Sequence, residues 1–178
     1  MELTIGQMVA YPNQGVCRVE ELDSKTVGGL SISCYLLRVL GDNSTILIPV
    51  SKIDSVGLRP VIDKDQYRRL IRSLEADFED PCIDWKTRSR QFLEKLQTGD
   101  VFQAADVLKK LTFLSHEKRL SFREQTMLEK ARFLIVSEMA NSDGGSSEEI
   151  DSRVRRLVEC ACGKHHKSAE RAVAAVGH

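Results

Sequence analysis

The segment Trp85-Lys86-Thr87-Arg88-Ser89-Arg90 places the chain's only tryptophan just ahead of three cations, at the start of a helix predicted to open near Asp84. Helix N-termini attract phosphate, and a cation beside an exposed apolar ring can clamp a nucleic-acid backbone while the ring wedges a groove open. The same spacing admits a purely structural reading. At 100° per residue Trp85 and Phe92 differ in heading by about 20°, so the indole could extend a buried stripe through Phe92 and Leu96. Residue pattern alone leaves both readings standing. A second cluster, Cys160-Ala161-Cys162-Gly163-Lys164-His165-His166, puts two thiols and two imidazoles close together in sequence. Structural zinc sites usually draw on two separated ligand pairs, and only one cluster is present, so no metal or cofactor is assigned and the cysteines are read as packing on a helix face.

Groups that could run a reaction are scarce. The sequence has no Gly-rich phosphate loop, no His-Glu-x-x-His helix and no Gly-x-Ser-x-Gly elbow. His116 is the one histidine in the main body, since His165, His166 and His178 fall in the tail. No catalytic residue is assigned, and the expectation is a protein that is not an enzyme.

The elements that would position these residues follow from periodicity. Met8–Pro12, the turn Asn13-Gln14-Gly15, Val16–Val19, the turn Gly28-Gly29, Ile32–Leu40 and Thr45–Pro49 predict four or five short strands within 60 residues, a small bent sheet or SH3-like barrel. Pro49 cannot donate a ladder hydrogen bond and so marks a strand end or an edge. From Asp63 the period becomes helical: Tyr67, Leu70, Ile71, Leu74 and Phe78 follow a capping box of Asp63 and Gln66. A second helix runs from Asp84 to a cap at Gly99, a third from Asp100 through Leu114, and a fourth from a Ser121/Glu124 capping box through Glu138. Asn141–Ser147 reads as a linker, Ile150–Ala161 as a last helix and Gly163–His178 as a flexible tail. The expected fold is α+β: a β module over 1–60, a compact helical module over 61–162 and a tail over 163–178.

Composition narrows the function classes. The 178 residues carry 26 Lys plus Arg against 26 Asp plus Glu, and 42% are hydrophobic. By position the basic-to-acidic counts are 5 to 6 over 1–60, 15 to 14 over 61–140 and 6 to 6 thereafter, so nucleic-acid binding requires a local patch. No run of 18 apolar residues occurs, the N-terminus lacks a secretory pattern, and the five scattered cysteines suit reduced thiols. A cytoplasmic protein with no membrane contact is expected.

Ordered blocks of residues then carry a resemblance. They are Gly6-Gln7-Met8-Val9-Ala10-Tyr11-Pro12, Gly15-Val16, Tyr35-Leu36-Leu37-Arg38-Val39, Ile48-Pro49, Val56-Gly57-Leu58-Arg59, Trp85 with Arg88 and Arg90, Leu93-Glu94-Lys95-Leu96-Gln97-Thr98-Gly99-Asp100, Leu120-Ser121, Met127-Leu128 and Ala131-Arg132. Over residues 1–140 the chain resembles the CarD/CdnL family of bacterial transcription regulators. The resemblance implies a Tudor-like N-terminal module that docks on the RNA polymerase β subunit by adding a strand edge, with Lys25, Leu37, Leu47 and Pro49 at the matching positions. It also implies a monomer whose helical module contacts promoter DNA through Trp85, Lys86, Arg88, Arg90 and Arg123, the indole wedging into the minor groove at the upstream edge of the open bubble. Leu47 stands where some relatives carry arginine. Thr87 and Ser89 stand where relatives usually carry an arginine and an aromatic, and relatives have basic residues near Gln125 and Thr126, so phosphate contact is expected to be weaker here. An adaptor that binds polymerase but scarcely touches DNA, its helical module recruiting another protein, is the alternative.

Overall fold

The computed structural model describes residues 1–177; His178, named above with the tail, lies outside the described residues. Strands β1 (Met8–Tyr11), β2 (Gly15–Val27), β3 (Leu30–Val39), β4 (Thr45–Pro49) and β5 (Arg59–Pro60) form one antiparallel sheet in the order β4-β3-β2-β1-β5. Helices α1 (Lys64–Glu75), α2 (Trp85–Gln97), α3 (Val101–Glu117), α4 (Phe122–Asp143) and α5 (Ser147–Val176) follow, so the fold is α+β.

Local chemistry explains the turns. Gly28 and Gly29 both take positive φ (60° and 81°), the geometry that a two-residue hairpin matched to strand twist requires. The resulting β2–β3 hairpin is longer than the strand pattern predicted; β2 is exposed from Glu21 to its end, while Cys34 and Tyr35 of β3 stay buried. Nearer the core, Val9, Cys17, Val19, Tyr35, Leu37 and Ile48 close one apolar cluster, and the Tyr35 hydroxyl donates to the Leu3 carbonyl at 3.1 Å. A separate helical core gathers Leu70, Leu74, Phe92, Leu96, Leu111, Ala131, Ile135 and Val154. Both capping boxes form: Asp63 with Gln66 opens α1, and Ser121 with Glu124 opens α4.

Two expectations are corrected. Asn141, Ser142 and Asp143 continue α4, whose stop is Gly144 in the left-handed conformation, leaving a much shorter connection to α5. The tail expected to be flexible over 163–178 is helical as far as Val176, where α5 ends. Its anchor is His165, which is buried against α3 and the segment after α1 rather than exposed.

The β and helical modules are interlocked. The Arg59 guanidinium donates to the Gly99 carbonyl (Nη2, 2.6 Å) and forms an ion pair with the buried Glu138 carboxylate (Nη2 to Oε2, 2.8 Å). That carboxylate also accepts from the Ile62 amide at 3.1 Å. Phe133 of α4 packs where Gly15 and Gly41 leave room, and Lys130 donates to the Asn13 carbonyl. Gly99 both ends α2 at φ 75° and lets Pro12 approach, since a Cβ there would lie 2.9 Å from Pro12 Cγ.

Candidate functional site

Asp84 caps α2 by accepting from the Thr87 amide at 3.0 Å and the Thr87 hydroxyl at 2.6 Å, bonds that hold its carboxyl below the ordinary range. Trp85 is therefore the first helical residue, and it is 63% exposed, with the Lys86 ammonium 5.5 Å from its ring centroid. The buried stripe of α2 consists of Arg88, Phe92 and Leu96, spaced by four, and it stops one turn short of the indole. Side chains tilt toward the helix N-terminus, so a residue in this first position points past the end of the bundle. The structure thus resolves the two readings of Trp85 in favour of an exposed ring. Ile83 (97% exposed) precedes it, and Phe122 (85% exposed) occupies the first position of α4.

Arg88 requires a correction. It was expected to face DNA, but only 6% of its surface is exposed. Its Nη2 donates to Glu124 Oε1 at 2.9 Å, and its Nη1 donates to the Cys82 and Ile83 carbonyls at 2.8 and 3.2 Å. Glu124 in turn accepts from the Ser121 amide at 2.9 Å and from Lys118 at 3.3 Å. Burial alone would raise the Glu124 pKa, but the Ser121 amide, Arg88 and Lys118 outweigh it and hold the carboxyl at about 2. Arg88 therefore ties α2 to α4 beneath the indole. The four-residue spacing of Arg88 with Phe92 and Leu96 is a sequence signal that it shares their buried face; its pairing with Glu124, 36 residues away, has no such signal. Lys86, Arg90 and Arg123 are exposed, as are Lys118 and Arg119 at the approach to α4. A neutral chain thus carries exposed cations near the starts of two tied helices.

In the β module, β4 is an outer strand of the sheet. Ile46 and Ile48 turn inward, Leu47 is 40% exposed and Pro49 is partly exposed. Lys25 lies on the exposed β2–β3 arm. Leu37 is the second correction among the expected contacts: β3 is flanked by β2 and β4, Leu37 pairs with Ile46, and its side chain is wholly buried in the β core. It supports the sheet and cannot present its side chain to a partner.

The cysteine–histidine cluster does not converge. Cys160 is exposed, while Cys162 is buried with Sγ 3.8 Å from the Lys109 carbonyl. His165 is buried between Asp77 and Asp80, and His166 is exposed. No metal-competent grouping occurs among the described residues. No helix among them is long and apolar enough to cross a membrane.

Comparison with known proteins defines the class. Residues 3–62 match the CarD-like/TRCF RID domain and residues 69–155 match the CarD C-terminal domain, so the two halves of the chain correspond in order to the two parts of one architecture. The chain belongs to the CarD/CdnL family. It is 29% identical over 148 residues to the Bacillus subtilis (strain 168) protein named "Putative transcription factor YdeB", covering 83% of this chain and 97% of that one. The solution NMR structure of the 72-residue N-terminal domain of Myxococcus xanthus CarD is 37% identical over the aligned part, covering 33% of this chain and 79% of that one, with a TM-score of 0.29. The protein is accordingly a transcription regulator that interacts with RNA polymerase, and not an enzyme.

Proposed function

We propose that this protein docks on the RNA polymerase β subunit through the β4 edge and stabilises the open promoter complex through helical-module contact with DNA at the upstream edge of the bubble. It acts as a cytoplasmic monomer bound to the transcribing enzyme. The observation that carries the DNA contact is the 63% exposed indole of Trp85 at the tip of α2, with Lys86 over its ring and Arg90 on the next turn. An apolar ring with cations beside it suits a partly unstacked base step flanked by phosphates. Binding the unwound fork more tightly than closed duplex shifts the promoter equilibrium by that difference alone, and about 1.4 kcal/mol is a tenfold change.

The phosphate contacts in this reading are Lys86, Arg90 and Arg123; Arg88 supports them from below. The docking contacts are Leu47, Pro49 and Lys25. An outer strand offers unpaired backbone groups for strand addition, and the exposed Leu47 supplies an apolar contact. A polymerase-bound adaptor with weak DNA contact is the second reading, favoured by Thr87, Ser89, Gln125 and Thr126, which carry no charge.

The test is Trp85→Ala in an open-complex lifetime assay with the polymerase. Shortened lifetime with unchanged polymerase binding supports the wedge. Unchanged lifetime with intact polymerase binding and fold selects the adaptor.

A further inference from the structure

The helix α5 runs to Val176, beyond the C-terminal family match that ends at residue 155. This added stretch reaches back to the segment 76–84, which has no helix or strand and leads directly into Trp85. His165 lies at the contact. Its Nδ1 is 2.8 Å from Asp77 Oδ1 and its Nε2 is 2.8 Å from Asp80 Oδ1. The ring stacks on Phe78 (centroids 4.3 Å apart, planes at 15°) and meets Phe113 of α3 edge-on at 4.7 Å. Ser168 donates to Asp77 at 2.6 Å, and Lys164 donates to the Glu75 carbonyl at 2.8 Å. At the far end of the segment, Arg88 holds the Cys82 and Ile83 carbonyls.

We propose that the C-terminal half of α5 is a clasp, in which His165 is a positioning residue that fixes the segment 76–84 and thereby sets where the Trp85 indole stands. Ionised carboxylates only accept hydrogen bonds, so a ring bonded to two of them through both nitrogens is an imidazolium donating twice. A charged ring buried on one side has two carboxylates as its counter-charge, and both belong to the segment it holds. Losing the ring's charge removes one donor and leaves a carboxylate without its partner. Other charged or titratable groups at the contact are Lys109 of α3, whose ammonium donates to the Ser73 and Ala76 carbonyls, and Lys164, His166 and Cys162 of α5.

The clasp stands apart from DNA binding; only its consequence for DNA rests on the reading above. Trp85 is the sole tryptophan, so fluorescence anisotropy of the full chain reports it alone. In the double variant Asp77→Asn/Asp80→Asn, and independently in His165→Ala, anisotropy is expected to fall. Amide exchange across 76–84 is expected to quicken about tenfold while α3 and α4 amides keep their protection. Native anisotropy should fall as pH is raised through the His165 titration, and the double variant, which retains Lys109, Lys164, His166 and Cys162, should lack that step. Unchanged exchange over 76–84 in both variants, or one pH profile shared by native and variant chains, overturns the clasp. Binding of a forked DNA probe separates the two ideas: if Trp85→Ala leaves it unchanged the DNA reading fails, while anisotropy and exchange still decide the clasp.

Discussion

Arg88 and Glu124, 36 residues apart in sequence, form a buried ion pair at 2.9 Å that ties the first turn of α2 to the first turn of α4. It separates the cations of the Trp85 segment into two roles. Arg88→Ala would leave the Glu124 carboxylate with the Ser121 amide and only the half-exposed Lys118 as counter-charge, and breaking such a pair costs about 3 kcal/mol. Arg90 is exposed, its Glu94 partner lying 4.0 Å away, so Arg90→Ala should leave stability nearly unchanged. On DNA the order reverses: Arg90→Ala should flatten the salt dependence of binding by about 0.9 in log–log slope. Urea denaturation and salt-titrated DNA binding of the two variants check this, and equal stability losses would contradict the division.

Acid should act on the same pair. Glu124 is held at about 2 against an ordinary value of 4.5, a folded-state pKa below the unfolded one. Its contribution to stability is therefore complete above about pH 4.5 and lost as pH falls toward about 2. Other carboxylates are lowered too, Asp77 among them, so the readout is a difference. Glu124→Gln should be less stable than the native chain at neutral pH, with the gap closing below about pH 4. A gap independent of pH would show that the carboxylate's charge contributes nothing.

These roles were only partly legible in the sequence, and the division has a physical basis. Signals confined to a few neighbouring residues were readable: the Asp63/Gln66 and Ser121/Glu124 boxes, the Gly99 stop and the Gly28-Gly29 turn all form. Features that depend on distant partners were not. Arg88 reads as one more cation beside Trp85 until Glu124 is brought against it, and Leu37, which the family resemblance put at the docking edge, is sealed between β2 and β4 by the strand order. His165 sits in a polar, alanine-rich run that suggests fraying, because the carboxylates that anchor it lie 88 and 85 residues earlier. The Trp85 environment was ambiguous for a related reason. Helical periodicity fixes a heading, whereas burial depends on where the neighbouring helices end.

The interlock of the two modules gives a further prediction. Arg59 and Glu138 are 79 residues apart, and with the Gly99 carbonyl they join the end of the sheet to α4 and the α2–α3 turn. Gly99→Ala places a methyl group 2.9 Å from Pro12 Cγ at a φ of 75°, both unfavourable. A loss of about 1–3 kcal/mol is expected, comparable to other strained backbone positions. Gly28→Ala, also at positive φ but with open space around its Cβ position, should lose less. Thermal denaturation of the two variants is the check, and equal losses would mean that the Pro12 contact carries no weight.

The proposed docking edge is tested by separating the two leucines that sequence similarity grouped together. Leu37 is fully buried beneath the sheet, so Leu37→Ala should cost about 2–5 kcal/mol and weaken polymerase binding only as far as the fold is lost. Leu47 is 40% exposed on the outer strand β4, so Leu47→Asp should leave the unfolding free energy within about 0.5 kcal/mol of native. Its effect should fall on binding, because a carboxylate replaces an apolar contact at the centre of the proposed added strand. A loss of about tenfold or more in affinity for the isolated polymerase β lobe is expected. Titrating both variants against that lobe, with the denaturation midpoint measured on the same samples, distinguishes contact from support. Native affinity in a folded Leu47→Asp chain would move the docking surface away from β4.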